Sequence, residues 1–214
     1  MRNKAKSKVK TAKGRKIGST KWLQRQLNDP YIQEAEKAGY RGRAAFKLKE
    51  LDERLDLLKP GMKVFDLGSA PGGWCQIAAA KGCDIVAIDL LEMAEVPGAQ
   101  FVQMDFMAEE APDKLKEMLG GPADLVLSDM APNTTGHKQT DHIRIMAVVE
   151  AAYMFACEVL KPDGAFIAKV FQGGAENTLM AQLKVSFKIV KHIKPPASRK
   201  ESSETYIVAQ GFRG

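Results

Sequence analysis

Between residues 62 and 171, short apolar runs alternate with segments of helical pattern, and this alternation constrains the fold more than any other feature. The apolar runs are "MKVFDLG", "CDIVAIDLL", "AQFVQMDF", "ADLVLSDMA" and "GAFIAKVF". Strands and helices in turn predict an α/β fold with a mainly parallel sheet and helices on both faces. Two later β-rich runs, "SFKIVKHIK" and "ETYIVAQGF", are separated by about ten residues, so we expect them to form an antiparallel pair at a sheet edge.

Four of the predicted strands end at an aspartate. These residues are Asp66, Asp89, Asp105 and Asp129. Ligands of open α/β sheets bind outside the carboxyl ends of the strands, near the point where the strand order reverses. Any one of these acids could instead cap a helix. Four in succession favour a ligand site.

The turn after the first strand reads "GSAPGG" and indicates which ligand the site takes. A dinucleotide fingerprint, G-x-G-x-x-G, would need glycine where this chain has Ala70. A pyrophosphate also needs positive potential at a helix N-terminus, whereas this turn follows Asp66 and has acidic surroundings. S-adenosyl-L-methionine carries a sulfonium and an amino group but no phosphate. The acidic strand ends therefore favour it as the cofactor.

Each part of that cofactor can be assigned to residues. We assign the methionine moiety to Asp66 and to the backbone of the glycine turn, because glycine lets the chain approach a ligand closely. Asp89 lies about 20 residues past the turn, where an acid binds ribose hydroxyls in nucleotide folds, and Asp105 is assigned to the adenine amino group. Asp129 is counted as a further cofactor contact. The turn residues are Gly68, Ser69, Ala70, Pro71, Gly72, Gly73 and Trp74.

Lys169 lies in the middle of the apolar run "GAFIAKVF". Lysine is rarely buried without a partner, and the order of the strands predicts that Lys169 points into the same crevice as Asp129. A lysine tuned by burial and by a neighbouring carboxylate can act as a general base. The alternative is an edge lysine that reaches solvent through its aliphatic stem.

Positive charge is concentrated at the N-terminus. Residues 1–25 hold ten basic residues and no acid, whereas residues 26–214 hold 22 basic and 26 acidic residues. We expect residues 1–25 to form a flexible arm and residues 26–214 to form a single domain that begins with a helical segment. Such arms commonly bind nucleic acid, although a solvated tail would look the same. Arg41, Arg43 and Lys47 extend the basic character, and the last two share a helix face.

Other site classes find little support. The three cysteines show no C-x-x-C spacing, which speaks against a disulfide framework and a cysteine zinc site and suits a reducing cytoplasm. No stretch approaches the roughly 20 apolar residues of a membrane span. The three histidines are scattered without ligand spacing, so we expect no metal.

Five segments together resemble one family: "GYRGRAAFKLKELD", "VFDLGSAPGGW", "LVLSDMAPNTTG", "FIAKVFQG" and "SRKESSETYIVA". In this order they are similar to the FtsJ-like ribosomal RNA 2′-O-ribose methyltransferases. The resemblance implies a Rossmann-like, S-adenosylmethionine-dependent methyltransferase domain. It also implies a Lys-Asp-Lys-Glu catalytic tetrad, which falls by motif on Lys47, Asp129, Lys169 and Glu204.

The resemblance further implies a substrate, a uridine in the A-loop of large-subunit ribosomal RNA, modified in an assembled or nearly assembled particle. We expect a cytoplasmic monomer with no membrane partner. Two alternatives remain open at this point: methylation of the 2′-hydroxyl of transfer RNA or another RNA, and a non-catalytic RNA-binding factor for ribosome assembly. Fold alone does not establish chemistry.

Overall fold

The computed structural model describes residues 20, 23, 24, 26–132, 135–171 and 176–214. The helices and strands whose bounds are defined lie between residues 30 and 212. In order they are α1 (Pro30–Ala38), α2 (Ala44–Leu55), β1 (Lys63–Leu67), α3 (Gly73–Ala80), β2 (Asp84–Asp89), β3 (Ala99–Gln103), α4 (Ala111–Leu119), β4 (Ala123–Ser128), α5 (Lys138–Val159), β5 (Leu160–Phe171), α6 (Glu176–Ser186), β6 (Phe187–Ile193) and β7 (Glu204–Phe212).

The strands form one sheet in the order β3-β2-β1-β4-β5-β7-β6. The first five strands run parallel, and β7 lies antiparallel between β5 and β6. This confirms the predicted mainly parallel sheet with an antiparallel C-terminal pair. The chain moves outward from β1 to β3 and then returns to β4 beside β1. The strand order therefore reverses between β1 and β4, where α/β folds bind their ligands.

Helices cover both faces of the sheet, and each face has its own buried apolar cluster. On one face α4, α5 and α6 pack around Phe65, Phe155 and Phe166. On the other, α2 and α3 pack around Leu48, Trp74 and other buried residues. The strands are apolar on both faces because both are covered. The sheet is thereby held rigidly beneath the loops at its carboxyl edge.

The helical segment before the sheet is broken at Asp29 and at Gly39. The Asp29 side chain accepts a hydrogen bond from the Tyr31 amide and caps α1, and Pro30 takes the first helical position. Gly39 ends α1 in the left-handed conformation with φ of 73°. Most of residues 1–25, the predicted basic arm, lies outside the described residues, so the domain boundary stays a prediction.

Candidate active site

The glycine turn after β1 brings the chain against the loop that follows β4. Gly68 has φ of +80°, and a Cβ there would lie 2.9 Å from the backbone Cα of Met130. Gly72 has φ of +105°, and its Cβ would meet the guanidinium of Arg41 at 2.7 Å. A larger residue at either position would force the two segments apart. The turn can therefore take this path only with glycine at these positions.

A cavity of about 550 Å³ opens at the carboxyl ends of β1, β2 and β4. It is large enough for a nucleoside with an amino-acid chain, within the usual range for small-molecule sites. Apolar walls come from residues such as Ile88, Phe106 and Val148. Six of the residues that the sequence assigned to the site line this cavity: Gly68, Ala70, Asp89, Asp105, Asp129 and Lys169.

Two of the lining acids are held by nearby backbone amides. Asp89 accepts hydrogen bonds from the amide of Leu91 at 2.8 Å and from the amide of Ala70 at 2.9 Å. Asp105 accepts one from the amide of Met107 at 2.9 Å. A carboxylate oxygen has more than one lone pair, so both acids retain capacity to accept from a ligand.

Asp66 is placed differently from the other acids, because it lies behind the cavity wall and is 1% exposed. One carboxyl oxygen accepts a hydrogen bond from the thiol of Cys75 at 3.1 Å. The other, Oδ1, is buried and has no partner among the described residues. Burial, reinforced by the charges of Asp129 and Asp89, raises the pKa of Asp66 to about 7.

The remaining turn residues do not line the cavity. They are Ser69, Pro71, Gly72, Gly73 and Trp74. Trp74 is buried between α2 and the sheet, where its indole N–H donates to the Ala44 carbonyl at 2.8 Å and its ring lies 5.7 Å from that of Tyr206. The structure therefore gives Trp74 a packing position beneath the site.

Lys169 and Asp129 form an ion pair at the cavity wall. Lys169 Nζ lies 3.1 Å from Asp129 Oδ1 and also donates to the backbone carbonyl of Asp129. The two residues are neighbours because Ser128 and Ala168 pair in register between β4 and β5. The lysine side chain is more than nine-tenths buried. It therefore does not reach bulk solvent, in contrast to the alternative of an edge lysine.

Lys47 and Glu204 form a second ion pair, with Nζ and Oε1 2.8 Å apart. Lys47 comes from α2 and Glu204 begins β7, so the pair joins two ends of the chain. The Ser198 hydroxyl donates to the same Glu204 oxygen at 2.8 Å. All four predicted tetrad residues thus occur as two buried ion pairs.

Tyr206 connects the two pairs, and the sequence analysis did not identify it. Its hydroxyl donates to Asp129 Oδ1 at 2.7 Å, and the Lys47 ammonium lies 5.7 Å from its ring centroid. Burial and the charge of Asp129 raise the pKa of Tyr206 well above its usual value, so the hydroxyl stays a donor. The spacing in the sequence could have indicated it. Tyr206 follows Glu204 by two residues and therefore lies on the same face of the strand as this tetrad residue.

A family model for FtsJ-like methyltransferases matches residues 40–212, the whole of the region that forms the cavity and both ion pairs. The chain belongs to this family. The predicted resemblance is confirmed.

Individual relatives agree with the family match. Ribosomal RNA large subunit methyltransferase E of Paramagnetospirillum magneticum is 61% identical over 215 residues, covering 97% of this chain and 88% of the relative. The protein of the same name from Rhodopseudomonas palustris strain BisB5 is 59% identical and covers 96% of this chain and 90% of the relative. A crystal structure of a ribosomal RNA methyltransferase from Plasmodium falciparum superposes with a TM-score of 0.72 at 32% identity, covering 82% of this chain and 100% of that one.

In this member of the family, the two arginines predicted to bind RNA have partners within the chain. The Arg41 guanidinium donates to the carbonyls of Pro71 at 3.1 Å and Ala94 at 2.6 Å, and also to that of Glu95. It thereby fastens the glycine turn to the loop after β2. Arg43 pairs with Asp29 and donates to the Ala197 carbonyl. Their role in RNA binding stays a prediction.

Two kinds of feature are absent from the described residues. No helix in the described ranges has both the length and the apolar character needed to cross a membrane. Nor do three or more histidine, cysteine or acidic side chains of those residues converge as a metal-binding group.

Proposed function

We propose that this protein transfers a methyl group from S-adenosylmethionine to a ribose 2′-hydroxyl of RNA, a uridine in the A-loop of large-subunit ribosomal RNA. The observation that carries the proposal is the buried Lys169–Asp129 pair in the wall of an acid-lined cavity. A cofactor bound in this cavity would therefore lie beside Lys169, which Asp129 holds in place.

The residues of the cavity fit S-adenosylmethionine. Asp89 and Asp105 would accept hydrogen bonds from its hydroxyl and amino groups, and the turn at Gly68 and Ala70 would border it. The buried Oδ1 of Asp66 has no partner among the described residues, so it leaves a free acceptor behind that turn. When bound, the cofactor supplies an activated methyl group on its sulfonium.

The chain itself must orient the 2′-hydroxyl and take up its charge or its proton. An ammonium has three N–H donors, and Lys169 directs two of them at Asp129, at the carboxylate and at the carbonyl. The third can meet the substrate oxygen and stabilise it as charge develops. After losing a proton, the same nitrogen can act as the general base. Asp129 and Tyr206 hold the lysine in place for either role.

The second ion pair is suited to positioning. Lys47 and Glu204 neutralise each other at 2.8 Å while Ser198 and Tyr206 hold them from two sides. Correct placement of a nucleophile can account for a large share of a rate enhancement. We assign Lys47 and Glu204 to holding the ribose and its phosphate.

The choice of substrate rests on the relatives and on charge. The relatives cited above are named for methylation of the large ribosomal subunit's RNA. Ten basic residues without an acid in residues 1–25 would supply salt-dependent attraction to RNA. We therefore favour large-subunit RNA as the substrate and partner, with the protein acting as a monomer.

The test is a transfer assay with tritium-labelled S-adenosylmethionine on three substrates: large ribosomal subunits, protein-free ribosomal RNA and transfer RNA. The labelled RNA is then digested to locate the methyl group. We expect label on one ribose 2′-oxygen of the large-subunit RNA. Label confined to transfer RNA, or on a base, would refute the proposed substrate or reaction. Tight RNA binding without transfer to any substrate would support the assembly-factor alternative.

A further inference from the structure

The Arg41 side chain reaches from the turn between α1 and α2 to the rim of the large cavity. Its guanidinium donates to the carbonyl of Pro71 in the glycine turn and to the carbonyls of Ala94 and Glu95 in the loop after β2, residues 90–98. These acceptors lie 30, 53 and 54 positions further along the chain. One side chain from a third segment therefore ties the loop after β1 to the loop after β2.

Both of these loops form part of the cavity wall. Ala70, next to Pro71, lines the cavity, and its amide donates to Asp89 at 2.9 Å. Leu90 and Leu91, at the start of the 90–98 loop, line it as well, although they are 64% and 68% exposed. The shape of this part of the wall therefore depends on what holds the two loops together.

An apolar contact and the Arg41 hydrogen bonds hold the loops from opposite sides. Met93 and Val96 of the 90–98 loop are buried, and side-chain atoms of both lie 3.1 Å from the position of a Cβ on Gly72. Arg41 Nη1 lies 2.7 Å from the same position, and its hydrogen bonds to the carbonyls are on the exposed side. Loss of the guanidinium would therefore leave the apolar contact in place but free the outer side of the loop.

The contacts use the planar fork of the guanidinium and not its charge alone. Nη1 donates to Pro71 at 3.1 Å and to Ala94 at 2.6 Å, so both of its protons are engaged, and Nη2 donates to Glu95. A lysine ammonium is a single point of charge and lacks this fixed geometry. The Arg41 backbone is held as well, because its N–H donates to Gln76 Oε1 at 2.9 Å.

We propose that Arg41 is a positioning residue for the cofactor, which holds the two loops at the spacing that S-adenosylmethionine requires. This rests on the proposed function, since it takes S-adenosylmethionine as the ligand of the cavity. A loop that must be ordered when a ligand binds costs affinity, and Arg41 orders this one in advance. Three of its five N–H donors are directed at carbonyls of this chain, which leaves an incomplete fork for an RNA phosphate.

The first test measures cofactor affinity in the full chain by calorimetry, with S-adenosylmethionine and with S-adenosylhomocysteine. The variants are Arg41→Ala and Arg41→Lys, and the matched control is Arg54→Ala, an exposed arginine near the end of α2. We expect Arg41→Ala to raise both dissociation constants about tenfold. Arg41→Lys should recover only part of this loss, because the fork is absent. In a transfer assay the KM for S-adenosylmethionine should rise similarly, with kcat close to that of the wild type because the tetrad is untouched.

The second test is hydrogen exchange of the ligand-free proteins. We expect faster exchange in residues 90–98 of Arg41→Ala than in the wild type, because the outer hydrogen bonds of the loop are lost. Exchange in α4 should be unchanged, since the apolar contact beneath the loop keeps the fold intact. Equal exchange of residues 90–98 in the two proteins would contradict the proposed restraint.

Unchanged cofactor affinity in Arg41→Ala would overturn the proposal. If Arg41 binds RNA instead, Arg41→Ala should weaken binding to a fluorescent ribosomal RNA fragment and reduce the slope of log K against log salt by about 0.7 to 1. Arg41→Lys would then restore the slope. A failure of the proposed function looks different: a wild type that binds S-adenosylmethionine but methylates a base refutes the reaction. The ratio of the dissociation constants of Arg41→Ala and wild type still decides the role of Arg41.

Discussion

The carboxylates on the two sides of the active site are held in different ways. On the side proposed for the cofactor, Asp89 and Asp105 each accept a hydrogen bond from the amide two residues further along the chain, and Asp89 accepts a second from the amide of Ala70 in the glycine turn. On the substrate side, Asp129 and Glu204 bind lysines from other elements, 40 and 157 positions away. The cofactor side is thus positioned by backbone amides, two of the three of them local, and the substrate side by lysine side chains from distant elements.

This difference predicts how each side responds to substitution. Removing a cofactor-side acid takes away a ligand contact but leaves no buried charge without its partner. Removing one member of a tetrad pair leaves the other charged group partly buried and uncompensated, which is costly. Variants of the substrate side should therefore lose turnover, and variants of the cofactor side should lose cofactor affinity.

The largest effect is expected for Lys169→Ala. It removes the group that we propose to contact the 2′-oxygen, and acid–base residues contribute about 10²- to 10⁴-fold, so we expect a loss of about a thousandfold in single-turnover rate. The dissociation constant for S-adenosylmethionine, measured by calorimetry, should stay within about twofold because the local contacts of Asp89 and Asp105 are untouched. Lys188→Ala, which breaks an exposed pair between β6 and Asp163 of β5, is the control. A parallel collapse of cofactor affinity in a folded Lys169→Ala protein would contradict the division between the two sides.

The converse variant is Asp89→Asn. An amide has one acceptor oxygen instead of two, so it cannot satisfy the amides of Leu91 and Ala70 and also bind a ribose. We expect the dissociation constant for S-adenosylmethionine to rise about 10- to 100-fold, with the rate at saturating cofactor nearly unchanged. Asp84→Asn, at the exposed start of the same strand, should leave both unchanged. If the rate at saturating cofactor fell while the affinity for S-adenosylmethionine stayed the same, Asp89 would act in the transfer step and not in cofactor binding.

The same contrast explains how far the sequence alone could be interpreted. The strand ends and the glycine turn were predictable because strand periodicity and turn glycines act over a few residues. The tetrad members Lys47 and Glu204 came only from the family resemblance, since no local pattern brings α2 and β7 together. The carbonyl contacts of Arg41 and the hydroxyl contact of Tyr206 were missed because each depends on where another element packs. Asp66 could be placed at the end of β1, but its position behind the cavity wall required the three-dimensional structure.

Tyr206→Phe should have a moderate effect. It removes a 2.7 Å hydrogen bond to Asp129 but keeps the ring beneath Lys47, so the lysine pairs remain with less restraint. We expect the methyl-transfer rate to fall roughly three- to tenfold, with cofactor affinity unchanged. Tyr153→Phe, which loses a hydroxyl contact to Ser186 away from the site, serves as the matched control. If Tyr206→Phe behaves like this control, the hydroxyl does not couple the two pairs.

The smallest effect concerns Asp66 and the dependence of stability on pH. Its pKa is raised from 3.8 to about 7 in the folded protein, so between these values the folded state holds a proton that the unfolded state has released. The stabilisation is therefore complete below about pH 4 and is lost as the pH rises through 7, with a slope of at most about 1.4 kcal/mol per pH unit. Urea unfolding at pH 6 and pH 7 should show a smaller loss in Asp66→Asn than in the wild type, because asparagine does not titrate. An equal loss in the two proteins would mean that Asp66 is already ionised at pH 6. Its unpartnered oxygen would then have to be compensated by groups outside the described residues.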